Sequence, residues 1–139
     1  MNYKLENCVD DEYNDGHTGL YKDRVVVVVR DGTVTPKKQG VFVKLWKRDG
    51  KNIPYAFTDI FDFLLITVAE GCFIIPKSAL LEHGFITSTS RPGKMGFRVY
   101  RPVEVLTAPQ AIKTQQWQAK YFVSNDATTT TIDQMFGIV

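Results

Sequence analysis

The sequence predicts a domain of the α/β (α+β) class with a buried sheet at its centre, on three observations. Residues 61–68 and 72–75 are apolar runs of strand length, joined through Glu70-Gly71 as a two-residue hairpin turn. Residues 24–30, RVVVVVR, form a β-branched run too uniform to alternate, which marks a strand covered on both faces. Helix signals stand around them: Thr35-Pro36, Pro76 with Gly84, and Thr107 ahead of Pro109. A chain of 139 residues that is 44% hydrophobic suffices for one domain with a core.

Taken in order, residues 1–23 are polar and turn-rich, with room for a short helix or strand and with Glu12-Tyr13 as the most distinctive pair. The β-branched strand follows and ends at Asp31-Gly32. Residues 35–48, TPKKQGVFVKLWKR, read as a helix with Thr35 as cap and Pro36 at its first position. On a helical wheel Lys37, Lys44, Lys47 and Arg48 fall on one side, and Phe42, Val43, Leu45 and Trp46 on the other. Gly40 weakens that reading, and Val-Phe-Val also suits a strand. Residues 49–58 read as a loop, with Asp59 beyond it.

In the central hairpin a Glu70-Gly71 turn pairs Ala69 with Cys72 and sets Lys77 opposite Leu64. Asp62, Leu64, Ile66, Phe73, Ile75 and Lys77 then share one face, and Phe63, Leu65, Thr67, Cys72 and Ile74 share the other. An Asp beginning one strand and a Lys ending the next outline a magnesium-nuclease site. Such a site needs a second carboxylate two residues before the Lys, where Ile75 stands. Asp62 and Lys77 are therefore vestigial candidates. The plainer reading makes Asp62 a strand-end cap and Lys77 a solvated residue of a first helical turn.

A short helix runs from Pro76 to Gly84, and residues 87–96, TSTSRPGKMG, form a polar turn before a strand at 97–101 that carries Arg98 and Tyr100 on one face. Thr107 caps a helix over 108–122, with Ile112, Gln115, Ala119 and Phe122 inward. Its other side interleaves Lys113, Trp117, Lys120 and Tyr121, a pattern suited to stacking bases while neutralising phosphates, or else two aromatics packed on the sheet. Residues 124–139 are a Thr-rich tail, either disordered or docking on the chain itself or a partner through Ile132, Met135, Phe136 and Ile138. The expected division is a single domain over 1–123 and this tail.

Charge is unevenly distributed although the net is only +2. Residues 1–16 hold five acids and one Lys, residues 37–51 hold six cations against Asp49, and residues 87–101 hold Arg91, Lys94, Arg98 and Arg101 with no acid. That arrangement points to a polyanion partner. No apolar run approaches membrane-spanning length and the start lacks a signal pattern, so a cytosolic protein without a membrane partner is expected. Cys8 and Cys72 show no metal spacing and read as reduced thiols, and His17 and His83 lack partners at ligand spacing, so neither metal nor cofactor is expected.

The segments 35–48, 61–63 (FDF), 75–88 (IPKSALLEHGFITS), 93–102 (GKMGFRVYRP) and 110–122 (QAIKTQQWQAKYF), in this order and spacing, resemble the MepB-like family of small bacterial proteins over residues 12–122. The resemblance implies a variant of the restriction-endonuclease-like fold, with helices flanking a central mixed sheet and a degenerate nuclease site, consistent with Ile75. It also implies nucleic-acid binding. The lead-in before residue 12 is short for the family, and Thr33 stands where a basic residue is common.

The first expectation is thus a catalytically silent domain that binds single-stranded DNA or RNA in preference to duplex. Lys37, Lys38, Lys44, Lys47, Arg48, Lys77, Arg91, Lys94, Arg98, Arg101, Lys113 and Lys120 would meet phosphates, and Trp117 and Tyr121 bases. The alternatives are a metal-dependent nuclease in which Asp59 or Glu12 rebuilds the ligand set around Asp62 and Lys77, and a protein-interaction module using the tail.

Overall fold

The computed structural model describes residues 3–14 and 16–138. Among them the central sheet has six strands in the order β1-β2-β3-β8-β9-β11, where β1 is Leu5–Asp10, β2 Gly16–Tyr21, β3 Val25–Asp31, β8 Phe63–Val68, β9 Gly71–Pro76 and β11 Phe122–Ser124. β3 and β8 are parallel and the other neighbours antiparallel, so the sheet is mixed. Sheets dominate and helices are few: α1 (Lys77–Glu82), α2 (Pro109–Gln118) and α3 (Thr129–Met135) among the described residues. None of these is long and apolar enough to cross a membrane.

The uniform valine run has the explanation its pattern calls for. Val28 faces one apolar cluster with Leu64, Ile66, Phe73 and Ile75, while Val27 and Val29 face another with Leu65, Cys72 and Ile74. A strand buried on both faces cannot alternate with polar residues. Arg30 at the end of the run is itself 98% shielded, at 2% relative exposure, whereas the sequence suggests only a flanking charge.

The hairpin turn is Ala69-Glu70, with Glu70 at φ 73°, and Leu64 pairs with Ile75, so the expected register moves by two residues. The faces survive the move because side chains alternate with period two.

The expected helix over residues 35–48 does not form. β4 (Thr33–Val34) and β5 (Val41–Lys44) are joined by a turn in which Gly40 adopts φ 81°, and β6 (Trp46–Asp49) pairs with β7 (Lys51–Pro54) across Gly50. The left-handed glycine cannot continue a right-handed helix cheaply, and the β-branched pair Val41 and Val43 finds a partner in β10 (Gly96–Val99). β4, β5 and β10 form a second, three-stranded sheet. Parallel pairing of β3 with β8 needs a crossover, ordinarily helical, and here strands supply it. The expected loop over 49–58 is half hairpin.

α1 begins and ends where Pro76 and Gly84 place it, Gly84 at φ 74°. α2 lacks the expected Thr107 cap. Its cap residue is Ala108, and it ends earlier than expected because Phe122 is extended and joins β11 to β9. Gln118, at 0% exposure, is its buried residue, in place of Ile112, Gln115 and Ala119.

The Thr-rich segment docks on the chain itself: Ile132 and Phe136 are buried in the second cluster, and the Phe136 ring stacks 4.4 Å from that of Tyr21. Asp133 latches α3 to β2, accepting from the Tyr21 hydroxyl at 2.6 Å and the Lys22 ammonium at 2.7 Å. Those two donors hold the Asp133 carboxyl below its ordinary range, while burial and then Asp133 push the Tyr21 hydroxyl up to about 12. Folding therefore gains from Asp133 above the ordinary carboxylate range and loses that gain as pH falls. The Tyr21 contribution is full below 10.0 and is lost as pH rises toward about 12. Asp133→Asn should lower the melting temperature by a few degrees at pH 7, with the difference from wild type shrinking in acid. A difference independent of pH would reject the latch.

Candidate nucleic-acid interface

The two basic segments, residues 37–51 with Asp49 as its one acid and residues 87–101 with none, are brought together by hydrogen bonding. β5 and β10 pair in the register Gly96–Lys44, Phe97–Val43, Arg98–Phe42 and Val99–Val41. Alternation turns Val41, Val43, Phe97 and Val99 into the first core cluster. It follows that Phe42, Lys44 and Arg98 occupy the outer face. Arg98 is held there by hydrogen bonds to Thr35 Oγ1 at 2.8 Å and the Gln39 carbonyl at 3.2 Å, and its guanidinium carbon lies 5.8 Å from the Phe42 ring centre. Lys37 and Lys38 are exposed on the β4–β5 turn.

Beside this sheet lies an open groove of about 330 Å³, lined by His83, Phe85, Lys94, Phe97, Arg98, Tyr100, Gln110, Thr114 and Trp117. Its aromatic wall is layered. His83 and Trp117 stack with centres 3.7 Å apart and planes 7° from parallel, and Phe85 and Phe97 stack at 4.2 Å and 11°. The Lys94 ammonium sits 5.5 Å from the Phe85 ring centre. Two amides tie α2 to β10 and to the chain that follows it. Gln118 donates to the Arg98 carbonyl at 3.1 Å and accepts from the Tyr100 N–H at 2.9 Å, and Gln115 donates to the Arg101 and Glu104 carbonyls, each at 2.9 Å. The Trp117 side of the wall is therefore tied to the sheet.

Trp117 is half-buried against the first core cluster with one ring face covered by His83, so it is a wall of the groove and not part of a free stripe. Tyr121 packs on the same cluster and borders a different hollow with Lys120, Ser78, Ala79 and Glu82. Lys113 is exposed on α2. The other cations disperse. Arg91 donates to the Glu82 carbonyl at 3.3 Å, Arg101 faces Glu104 at 3.7 Å, and Arg48 bonds Asn52 at 2.9 Å with its guanidinium carbon 5.6 Å from the Tyr13 ring centre. Lys47 pairs with Asp59.

At the end of the central hairpin Asp62 stands directly opposite Lys77, whose N–H donates to the Asp62 carbonyl at 3.0 Å. The Asp62 carboxylate accepts from the Val26 N–H at 2.8 Å, the strand-end capping role. The Lys77 ammonium donates to the Asp59 carbonyl and lies 5.0 Å from the Phe61 ring centre, so it is engaged and not freely solvated. Asp59 also accepts from the Ala56 N–H at 2.8 Å, and Ile75 is fully buried at 0%. Among the described residues no three His, Cys, Asp or Glu side chains gather closely enough to share a metal ion. Cys8 is an exposed free thiol and Cys72 a buried one, whose pKa burial pushes up to about 12.

Phe42, Phe85, Phe97, Gln110 and Thr114 are absent from the sequence-derived site, and Tyr100 appears there only as a neighbour of Arg98. Strand alternation at residues 41–44 was the signal that bore on Phe42.

The sequence model of the MepB-like family matches residues 9–124. A solved structure described as the crystal structure of MepB is similar over 89% of this chain and 89% of that chain, at 31% identity and a TM-score of 0.81. No curated protein matches the chain.

Proposed function

This chain belongs to the MepB-like family, and from that premise we propose that it binds single-stranded nucleic acid without cutting it. One observation carries the reading: the pairing of the two basic segments puts Arg98 and Lys94 on an aromatic groove and Lys44 on the adjoining outer face of the same sheet. Cations that track a backbone next to rings that stack bases are what a single strand requires. The groove, at about 330 Å³, is at the small end of the roughly 300–1,000 Å³ typical of ligand pockets, which leaves room for an unstacked base. Bases in a duplex pair edge to edge and are stacked on their neighbours, so they offer no free ring face.

Silence follows from the engagement of the groups a metal would need. Asp62 caps β3, Asp59 holds Lys47, Lys77 is spent on a carbonyl, and the place of the second carboxylate is a buried isoleucine. On a restriction-endonuclease-like reading of the mixed sheet, this is a nuclease scaffold whose ligand set is gone.

The test is the anisotropy of a fluorescein-labelled oligothymidylate titrated with protein in Mg²⁺ at two salt concentrations. A stable, salt-sensitive rise is expected. Lys44→Ala with Lys94→Ala should weaken binding and shrink the log–log salt slope by ~1.4, at about 0.7 for each lost phosphate contact on single strands. A rise that decays with time would identify a nuclease, and no rise with folded protein would turn these surfaces over to a protein partner. Either result overturns the proposal.

A further inference from the structure

We infer that the outer face of the three-stranded sheet is a second base-stacking station, with Phe42 and Tyr100 as its rings and two glycines as its floor. The inference rests on the nucleic-acid reading above and adds to it a site that extends beyond the groove to Phe42, with Tyr100 shared between the two. An aromatic residue on the outward face of a sheet contributes nothing to the core beneath, and Phe42 points away from Val41 and Val43, which do. Each ring instead rests over a residue with no side chain. A Cβ added at Gly96 would lie 2.6 Å from the tip of the Phe42 ring, and one at Gly40 would lie 2.6 Å from the Tyr100 ring. Any larger residue at either place would push the ring off the sheet. Both rings remain partly exposed.

The surrounding charge selects the occupant. Arg98 is fixed beside Phe42 by Thr35 and Gln39, using two of its five donors. Lys44 stands on the same face, and Lys37 and Lys38 are exposed on the adjoining turn. Neither strand that builds this face, residues 41–44 and 96–99, carries an acid; Asp31 and Glu104 stand at its margins, and Glu104 is occupied with the N–H groups of Gly40 and Arg101. Partly exposed rings beside a fixed arginine and exposed lysines suit the bases and phosphates of a single strand. Arg98 and Tyr100 border the groove as well, so a strand crossing them meets both stations.

The experiment compares a fluorescein-labelled thymidine decamer with an abasic deoxyribose-phosphate decamer of equal charge, on wild-type protein, Phe42→Leu and Phe42→Tyr. Phe42→Leu should weaken the thymidine decamer about tenfold, as loss of one stacked base does. The abasic decamer should bind as before, and Phe42→Tyr should bind both like wild type. A wild-type measurement guards against misfolding: an iodouracil-substituted decamer should photocrosslink to the peptide carrying Phe42. Unchanged affinity in Phe42→Leu, equal loss on both decamers, or crosslinks confined to the Tyr100 and Trp117 peptides would each overturn the station while leaving the groove intact. Wild-type protein that binds neither decamer would overturn the parent reading too.

Discussion

Ile75→Glu is expected to unfold the protein at neutral pH, not to restore a nuclease. Ile75 has no exposed surface and sits among Leu64, Phe73, Val43 and Leu80 in the first core cluster. An ionised carboxylate there would have no partner, and burying it unpaired costs several kcal/mol, on the order of the whole stability of a small domain. The substituted carboxyl would resist ionisation, so its folded-state pKa would lie above the unfolded value near 4.3. The destabilisation should therefore ease below that pH and grow as pH rises. Urea denaturation at pH 4 and pH 7 checks this. A variant as stable as wild type at pH 7 would show that this part of the core opens to solvent, and would reopen the metal-nuclease reading of Asp62 and Lys77.

Asp11→Asn should cost about 3 kcal/mol, the usual scale for stranding one member of a buried ion pair. Arg30, at 2% exposure, donates to Asp11 Oδ2 at 2.7 Å, to the Tyr55 hydroxyl at 3.0 Å and to the Val29 carbonyl at 2.9 Å. Asp11 is the carboxylate that neutralises it. Burial acts to raise the Asp11 carboxyl, and hydrogen bonds from the Tyr13 and Asn14 N–H groups and the Asn14 amide, with the Arg30 charge, outweigh it and hold the pKa below 3.8. A carboxyl lowered in this way stabilises the fold above its unfolded pKa, and the contribution is lost as pH falls through the folded value. The asparagine variant and wild type should accordingly converge in acid. Replacing the pair together, as Asp11→Leu with Arg30→Met, should recover part of the loss because no charge is left buried. A loss under about 0.5 kcal/mol for Asp11→Asn, within the ordinary range for surface positions, would mean that water already satisfies Arg30.

The network explains why the acidic lead-in takes part in the fold. Asn14 donates to the Trp46 carbonyl at 3.2 Å, tying the β1–β2 connection to β6. No local pattern in residues 1–16 announces that Asp11 will meet an arginine 19 positions later. The tail is a parallel case. Its apolar positions Ile132 and Phe136 were visible as residues for docking on the chain or a partner, with disorder as the alternative, and the cluster around Tyr21 is where they went.

By itself the sequence determined which faces of the central strands are buried, where α1 starts and stops, and which two segments are basic. These depend on local rules: period two along a strand, proline and glycine at helix ends, and charge counted along a window. The hairpin faces survived a two-residue shift in register for that reason. Only the tertiary structure decided that residues 41–44 are a strand and not a helix turn. The Thr-Pro start and the helical spacing of the lysines were real local preferences, and pairing with residues 96–99 overrode them. That same pairing turned Phe42 outward, drew Lys44 and Arg98 to one face and laid two rings over Gly40 and Gly96. Hydrogen bonds between strands some fifty residues apart leave no trace in the periodicity of either strand, so the faces were legible and their meeting was not.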